Sequence, residues 1–172
     1  MVRFDANGFP LWDECTLPYD YGLPRDIDEP SIPVTLVCGP PASGKTSYVE
    51  KHKSDRDIVI DMDDIKVSVG GKRWDTCPDV FDLAIAERDR LLCSLHASTA
   101  PHAWVIHTGE RPQARSEWAR RLGCASIVVI NTPANLCISR IKADVRRRYA
   151  SGSQIAAVKR WHEYNDKGMP IW

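Results

Sequence analysis

Eight consecutive residues carry the most specific chemistry in this 172-residue chain: Gly39-Pro40-Pro41-Ala42-Ser43-Gly44-Lys45-Thr46. They match G-x-x-x-x-G-K-[ST] at each fixed position. Glycines permit positive φ and close backbone approach, so successive N–H groups can ring an anion. A helix opening near Gly44 aims the positive end of its dipole at the same point. Lys45 is then placed to reach the β- and γ-phosphates of a nucleotide, and the Thr46 hydroxyl to ligate Mg²⁺. The expected ligand is ATP with Mg²⁺, held by Gly39, Ala42, Ser43, Gly44, Lys45, Thr46 and Ser47. A ligand-free glycine turn fits less well, because an apolar strand precedes the motif and a helix follows it.

Passing the γ-phosphoryl to an acceptor needs two further things, a base and cations that follow the charge. The run Ile58-Val59-Ile60-Asp61-Met62-Asp63-Asp64 ends a strand in acids, and in this architecture such strand ends open beside the phosphates. Strand alternation sets Asp61 and Asp63 on one side and turns Asp64 to the other. Asp61 is the acid expected beside Thr46 at the metal. A solvated acidic turn would read the same way. The cations are expected from Arg140 and from Arg146-Arg147-Arg148, on the helix after the fourth strand. Arg140 and Arg147 are seven apart and so share a helical face. Tyr149-Ala150-Ser151-Gly152-Ser153 then reads as a mobile turn of a lid over about 138–153. A solvated basic face is the plainer meaning of such a run.

Lys66, Lys72 and Arg73 form a basic stretch suited to nucleic-acid phosphates. Trp74 beside them suits stacking on a base or, equally, covering a surface loop. His107 ends the third strand within reach of the phosphates, where a lone histidine is more often structural. No strand ends in the Asp-Glu pair of a motor, and no Asn-Lys-x-Asp is present to read guanine.

The elements that must position these residues alternate. Strands are expected at 33–38, 57–61, 104–107 and 126–130, and helices at about 44–53, from Pro78 through Leu95, 114–122, from Thr132 through Val145, and 153–164. Thr76-Cys77-Pro78 and Thr132-Pro133 both read as a cap followed by an early helical proline. Apolar strands alternating with helices imply an α/β fold, a parallel sheet of about four strands covered on both faces. Residues 1–30 show no sustained period and are expected to form an irregular arm on the 31–172 domain, with Trp12 as its anchor or as part of a partner-binding arm.

Bulk composition narrows the classes. Net charge is zero, which argues against a general DNA-coating protein. The charge is nevertheless uneven: residues 1–30 carry a net of −5 and residues 138–172 a net of +5, so an anionic partner is expected near the C-terminal third. No apolar run is long enough to span a bilayer, and the N-terminus lacks the plan of a secretion signal. A cytoplasmic protein without membrane partners is expected. The six cysteines are scattered, with no C-x-x-C pair, and read as free thiols in the core.

From about Thr35 to Tyr164 the chain resembles the kinase domain of bacteriophage polynucleotide 5′-hydroxyl kinases. The resemblance rests on the P-loop, Asp63-Asp64-Ile65-Lys66, Phe81-Asp82, Glu110-Arg111 through Trp118, and the arginine-bearing segment before a final amphipathic helix. Small prophage P-loop proteins look similar too. The resemblance implies that Asp63 is the general base for a nucleic-acid 5′-hydroxyl. It places Lys66, where the family has arginine, on the adjacent phosphate, and Asp82 in the acceptor pocket; Arg73 is expected on the substrate from the basic stretch alone. Lysine keeps the charge there but lacks the bidentate fork. Lys45, Arg140 and Arg147 complete the implied catalytic set. No attached phosphatase half is expected. The competing expectations are a kinase for a nucleotide, sugar nucleotide or other small molecule, and a non-catalytic ATP-binding accessory factor.

Overall fold

A computed structural model describes residues 3–4, 10–11, 22–24, 26–75 and 77–166. Its main sheet has four parallel strands: β3 (Val34–Cys38), β4 (Ile58–Asp61), β5 (Ala103–His107) and β6 (Ser126–Val129), in the order β4-β5-β3-β6. Two shorter strands precede them, β1 (Arg3–Phe4) and β2 (Pro10–Leu11), paired antiparallel where the sequence suggested only irregular chain. The anchor expected at Trp12 lies outside the described residues. Further along the arm, Leu23 is buried in the main core, and Arg88 donates from Nη2 to the Gly22 carbonyl at 2.8 Å.

All five residues of β3 are buried because it lies between β5 and β6 with helices on both faces. Alternation then sends Val34, Leu36 and Cys38 to one face and Val37 to the other. On the first face they meet Ile65 of α2 (Met62–Ser68), Ala84 and Leu92 of α3 (Pro78–Ser94) and Trp118 of α4 (Pro112–Arg121). On the second, Val37 and Ile106 meet Val49 of α1 (Lys45–His52). A third cluster joins α5 (Ala134–Ala143) to α6 (Ser151–Asp166) through Cys137, Ile141 and Val158. Among the described residues strand β6 pairs on one side only, with Ile127 43% and Val129 44% exposed. Among the described residues no helix is long and apolar enough to cross a membrane.

Three local expectations are corrected. Asp61 is not followed by more strand: it ends β4 and caps α2, its carboxylate Oδ1 accepting from the Asp63 amide at 3.0 Å. Strand alternation therefore does not place Asp63 and Asp64, which lie in the first turn of a helix. The second concerns α5, which starts after Pro133 without a side-chain cap and stops at Ala143. Asp144 adopts an extended conformation there and accepts from the Arg146 amide at 3.2 Å, starting a separate 3₁₀ turn over Val145–Arg147. The arginine run is thus off the helix, and Val145 is 84% exposed. Third, α3 has Pro78 in its first turn as expected, but its cap is Cys77 without a side-chain bond, and Thr76 lies outside the described residues. Cys77 is also exposed, whereas Cys38 and Cys137 are buried thiols as expected.

Leu36 is fully buried at the centre of the sheet. Leu36→Ala is expected to cost about 2–5 kcal/mol, read as a lowered midpoint in urea with an unchanged slope.

Candidate active site

The four main-sheet strands are parallel, so their C-terminal ends lie along one edge, and each feeds a different part of one cleft. It encloses about 530 Å³ and is lined by the P-loop, Asp61, Asp63, Lys66, Arg140 and Arg147, among others. From β3 the chain turns at Gly39, whose amide donates to the Thr108 carbonyl at 3.1 Å. A Cβ here would sit 2.6 Å from the Ile130 carbonyl oxygen and 2.8 Å from Ser43 Oγ, so the position has no room for a side chain. Ala42 and Gly44 follow with φ of 59° and 104°. For Gly44 this left-handed backbone, not crowding, is what requires glycine. Ala42 adopts it as a non-glycine residue, a strain that the surrounding structure must hold.

Ser43 Oγ is a buried polar atom with no hydrogen-bond partner. Such atoms are rare in native proteins, and Ser43 lines the cleft. Lys45 Nζ donates to the carbonyls of Gly39 and Pro40 at 2.7 and 2.9 Å. Burial lowers its pKa to about 8, against the pull of Asp61 and Asp63. A glycine-dependent turn, an unpaired hydroxyl and a partly desolvated ammonium together fit a phosphate chain. The Thr46 hydroxyl donates to Asp61 Oδ2 at 3.3 Å. These are hard oxygen donors, suited to a Mg²⁺ ion that takes its other ligands from phosphates and water. Burial, then the neighbouring Asp63, raises the Asp61 pKa, and a divalent cation there would relieve that cost.

On α2, Asp63 and Lys66 are one turn apart with Nζ 3.9 Å from Oδ1, both in the cleft. The Lys66 ammonium also lies 5.4 Å from the centre of the Phe81 ring. Arg73 bonds to Asp64 and lies 3.8 Å from Asp61. Asp82 is different: it is exposed on α3 and does not line the cleft. The two arginines expected on one helical face are both in the cleft but arrive separately. Arg140 donates to the Ala42 carbonyl at 3.0 Å. Arg147 reaches the cleft from the 3₁₀ turn, bonded to Asp144 and, at 2.8 Å, to Gln154. Thr132, read from sequence as a helix cap, instead donates to the Ser43 carbonyl at 2.8 Å.

Trp74 is neither a free stacking platform nor a loose cover. It is 8% exposed, with φ of 62°, and the Arg147 guanidinium lies 4.0 Å from its ring centre. His107 stacks on Trp118 at 4.1 Å. Burial, then the cations Arg88 and Lys45, depress its pKa to about 3, so it stays a neutral imidazole. Arg88 and Arg115 are buried cations that sequence reasoning did not place in the site. Arg88 lines the cleft, and Arg115 ties Gly109 to Asn165 of α6. Their positions at helical spacing among apolar residues, Arg88 with Leu92 and Arg115 with Trp118, were the available signal.

The Lys45 pKa has a measurable consequence. Triphosphate binding favours the ammonium form, so affinity for ATP is expected to be full below about pH 8 and to fall above it, by at most about tenfold per pH unit. Titration calorimetry across that range checks the direction. Lys45→Arg, whose guanidinium does not titrate there, is expected to flatten the profile whatever it does to the affinity itself.

No curated protein matches the chain significantly. A family model described as an AAA domain matches residues 34–164, from the first strand of the main sheet through most of α6. That span contains the P-loop, the strand-end carboxylate and the arginine-bearing segment after α5, and by it the chain belongs to this AAA-domain family, with a P-loop NTPase fold of the kinase type.

Proposed function

We propose that the protein is an ATP- and Mg²⁺-dependent phosphotransferase whose acceptor is the 5′-hydroxyl end of a polynucleotide. The observation that carries this reading is the placement of Asp63 and Lys66 on one face of α2, in the same cleft as Lys45. Asp63 is 33% exposed at its side chain and Lys66 only 12%. A carboxylate open to the cleft suits a general base, and a partly covered ammonium beside it suits an acceptor phosphate.

In the proposed reaction the acceptor hydroxyl gives its proton to Asp63. Its oxygen bonds to the γ-phosphorus, and the bond from that phosphorus to the β,γ-bridging oxygen breaks, releasing ADP. Lys45 follows the charge onto the β-phosphate side, and Arg147 faces it from the lid. Arg140 holds the Ala42 carbonyl and so fixes the strained turn of the P-loop. Thr46 and Asp61 would hold Mg²⁺, which would supply charge neutralisation to the phosphates.

A second reading, a small hydroxylated acceptor, draws support from the apolar wall that Phe81, Ile85 and Ile106 add to the cleft. Label transfer from γ-labelled ATP separates the two. The panel comprises 5′-hydroxyl DNA and RNA oligomers, 3′-nucleotides, deoxynucleoside monophosphates and a sugar nucleotide. The expected outcome is labelled oligomer 5′ ends. Labelling only among the small acceptors would move the assignment to a small-molecule kinase. No labelled acceptor despite ATP binding would leave an ATP-binding accessory factor. Asp63→Asn is expected to lower kcat by roughly 10²–10⁴-fold with ATP affinity nearly unchanged, whereas Lys45→Ala is expected to remove ATP binding.

A further inference from the structure

Trp74 combines features that a loop residue does not ordinarily combine. It is a large aromatic held in left-handed backbone, at φ 62°, between α2 and α3. Strain of this kind costs free energy and persists only where the surroundings impose it. Trp74 is nevertheless 8% exposed, and three cations lie near its ring. The guanidinium of Arg147 lies 4.0 Å from the ring centre, that of Arg73 5.7 Å and that of Arg146 5.9 Å.

These cations come from opposite sides of the cleft. Arg73 belongs to the acceptor side, where it bonds Asp64 and faces the metal-site carboxylate of Asp61 at 3.8 Å. Arg146 and Arg147 belong to the lid, anchored by Asp144, whose carboxyl Arg146 holds down at a pKa of about 2. A second bond spans the same gap, from the Tyr149 hydroxyl to the Arg73 carbonyl. The indole is therefore the middle of a continuous chain of contacts: Asp61, Arg73, Trp74, Arg147, Gln154.

We infer that Trp74 is a positioning residue that couples the metal and acceptor side of the cleft to the lid, by giving Arg147 a flat surface on which its guanidinium is held. The part assigned to Arg147 in transfer rests on the phosphotransferase reading above; the coupling between loop and lid does not. An arginine with a long flexible side chain explores many rotamers, and stacking on a fixed ring removes most of them. The fixed ring, in turn, is why the backbone tolerates its strained conformation. Entry of a ligand beside Asp61 and Arg73 then reaches the lid through one side chain.

Hydrogen exchange followed by mass spectrometry, with and without Mg²⁺ and a non-hydrolysable ATP analogue, tests the coupling without an acceptor. Nucleotide is expected to slow exchange over residues 144–150. In Trp74→Ala that protection is expected to fall about tenfold, the scale of one well-formed cation–π contact. Exchange in β3 and β5 serves as the control that the fold survives. Trp74→Phe, which keeps an aromatic face, is expected to recover most of the protection and covers the case in which the alanine variant does not fold. Unchanged protection in Trp74→Ala, or no recovery in Trp74→Phe, would overturn the coupling. With a labelled acceptor in hand, Trp74→Ala is expected to lower kcat about tenfold with the KM for ATP nearly constant; an unchanged kcat would overturn the positioning role. A lid that loses protection together with an absence of any labelled acceptor would keep the coupling and remove only the phosphotransferase reading.

Discussion

Asp61 is the constraint on which the active site depends. Its carboxylate is nearly buried, and each oxygen is committed: Oδ1 accepts from the Asp63 amide, Oδ2 from the Thr46 hydroxyl with Arg73 nearby. The first bond starts α2 and so fixes where Asp63 and Lys66 project. The second ties the end of β4 to the first turn of α1, and thereby to the P-loop. A carboxylate in this position is costly to bury unless its oxygens are hydrogen-bonded, and those bonds are the ones that assemble the cleft. Stability and site geometry are, at this residue, the same set of contacts.

Most of the architecture was legible in the sequence because its signals are local. A five-residue apolar β-branched run ending in glycine leaves little choice but a buried strand, and β3 is buried throughout. The other three main strands fall within a residue or two of their expected bounds for the same reason. The P-loop is equally local: the fixed positions of its motif, Gly39, Gly44, Lys45 and Thr46, are close in sequence and recognisable by type.

What was missed depended on contacts between distant parts of the chain. Helix α2 is seven residues long and carries two acids in its first turn, so no apolar period announces it. Only its capping bond to Asp61, made once the strand ends, distinguishes it from an acidic turn. The arginine run looked helical because spacing alone cannot see Asp144 leaving the helix and capping the next turn. Thr132 has the type of a helix cap but finds the Ser43 carbonyl instead, a partner 89 positions away. Trp74, beside Lys72 and Arg73, read equally as a base-stacking residue or as cover for a surface loop. It is buried, with the Arg147 guanidinium over its ring, and no pattern in residues 69–77 reports that. Asp82 shows the opposite limit, since a short motif match carried it into the acceptor pocket and the helix turns it to solvent.

The open side of β6 bears on how the protein behaves in a tube. Among the described residues this edge has no lysine, proline or bulge to blunt it, and Ile127 and Val129 stand out from it. Natural sheets usually protect such edges. The chain also carries no net charge at pH 7, so electrostatic repulsion between molecules is weakest under ordinary buffer conditions. Together these favour handling the protein at a pH a unit or more away from neutrality, where the chain carries net charge.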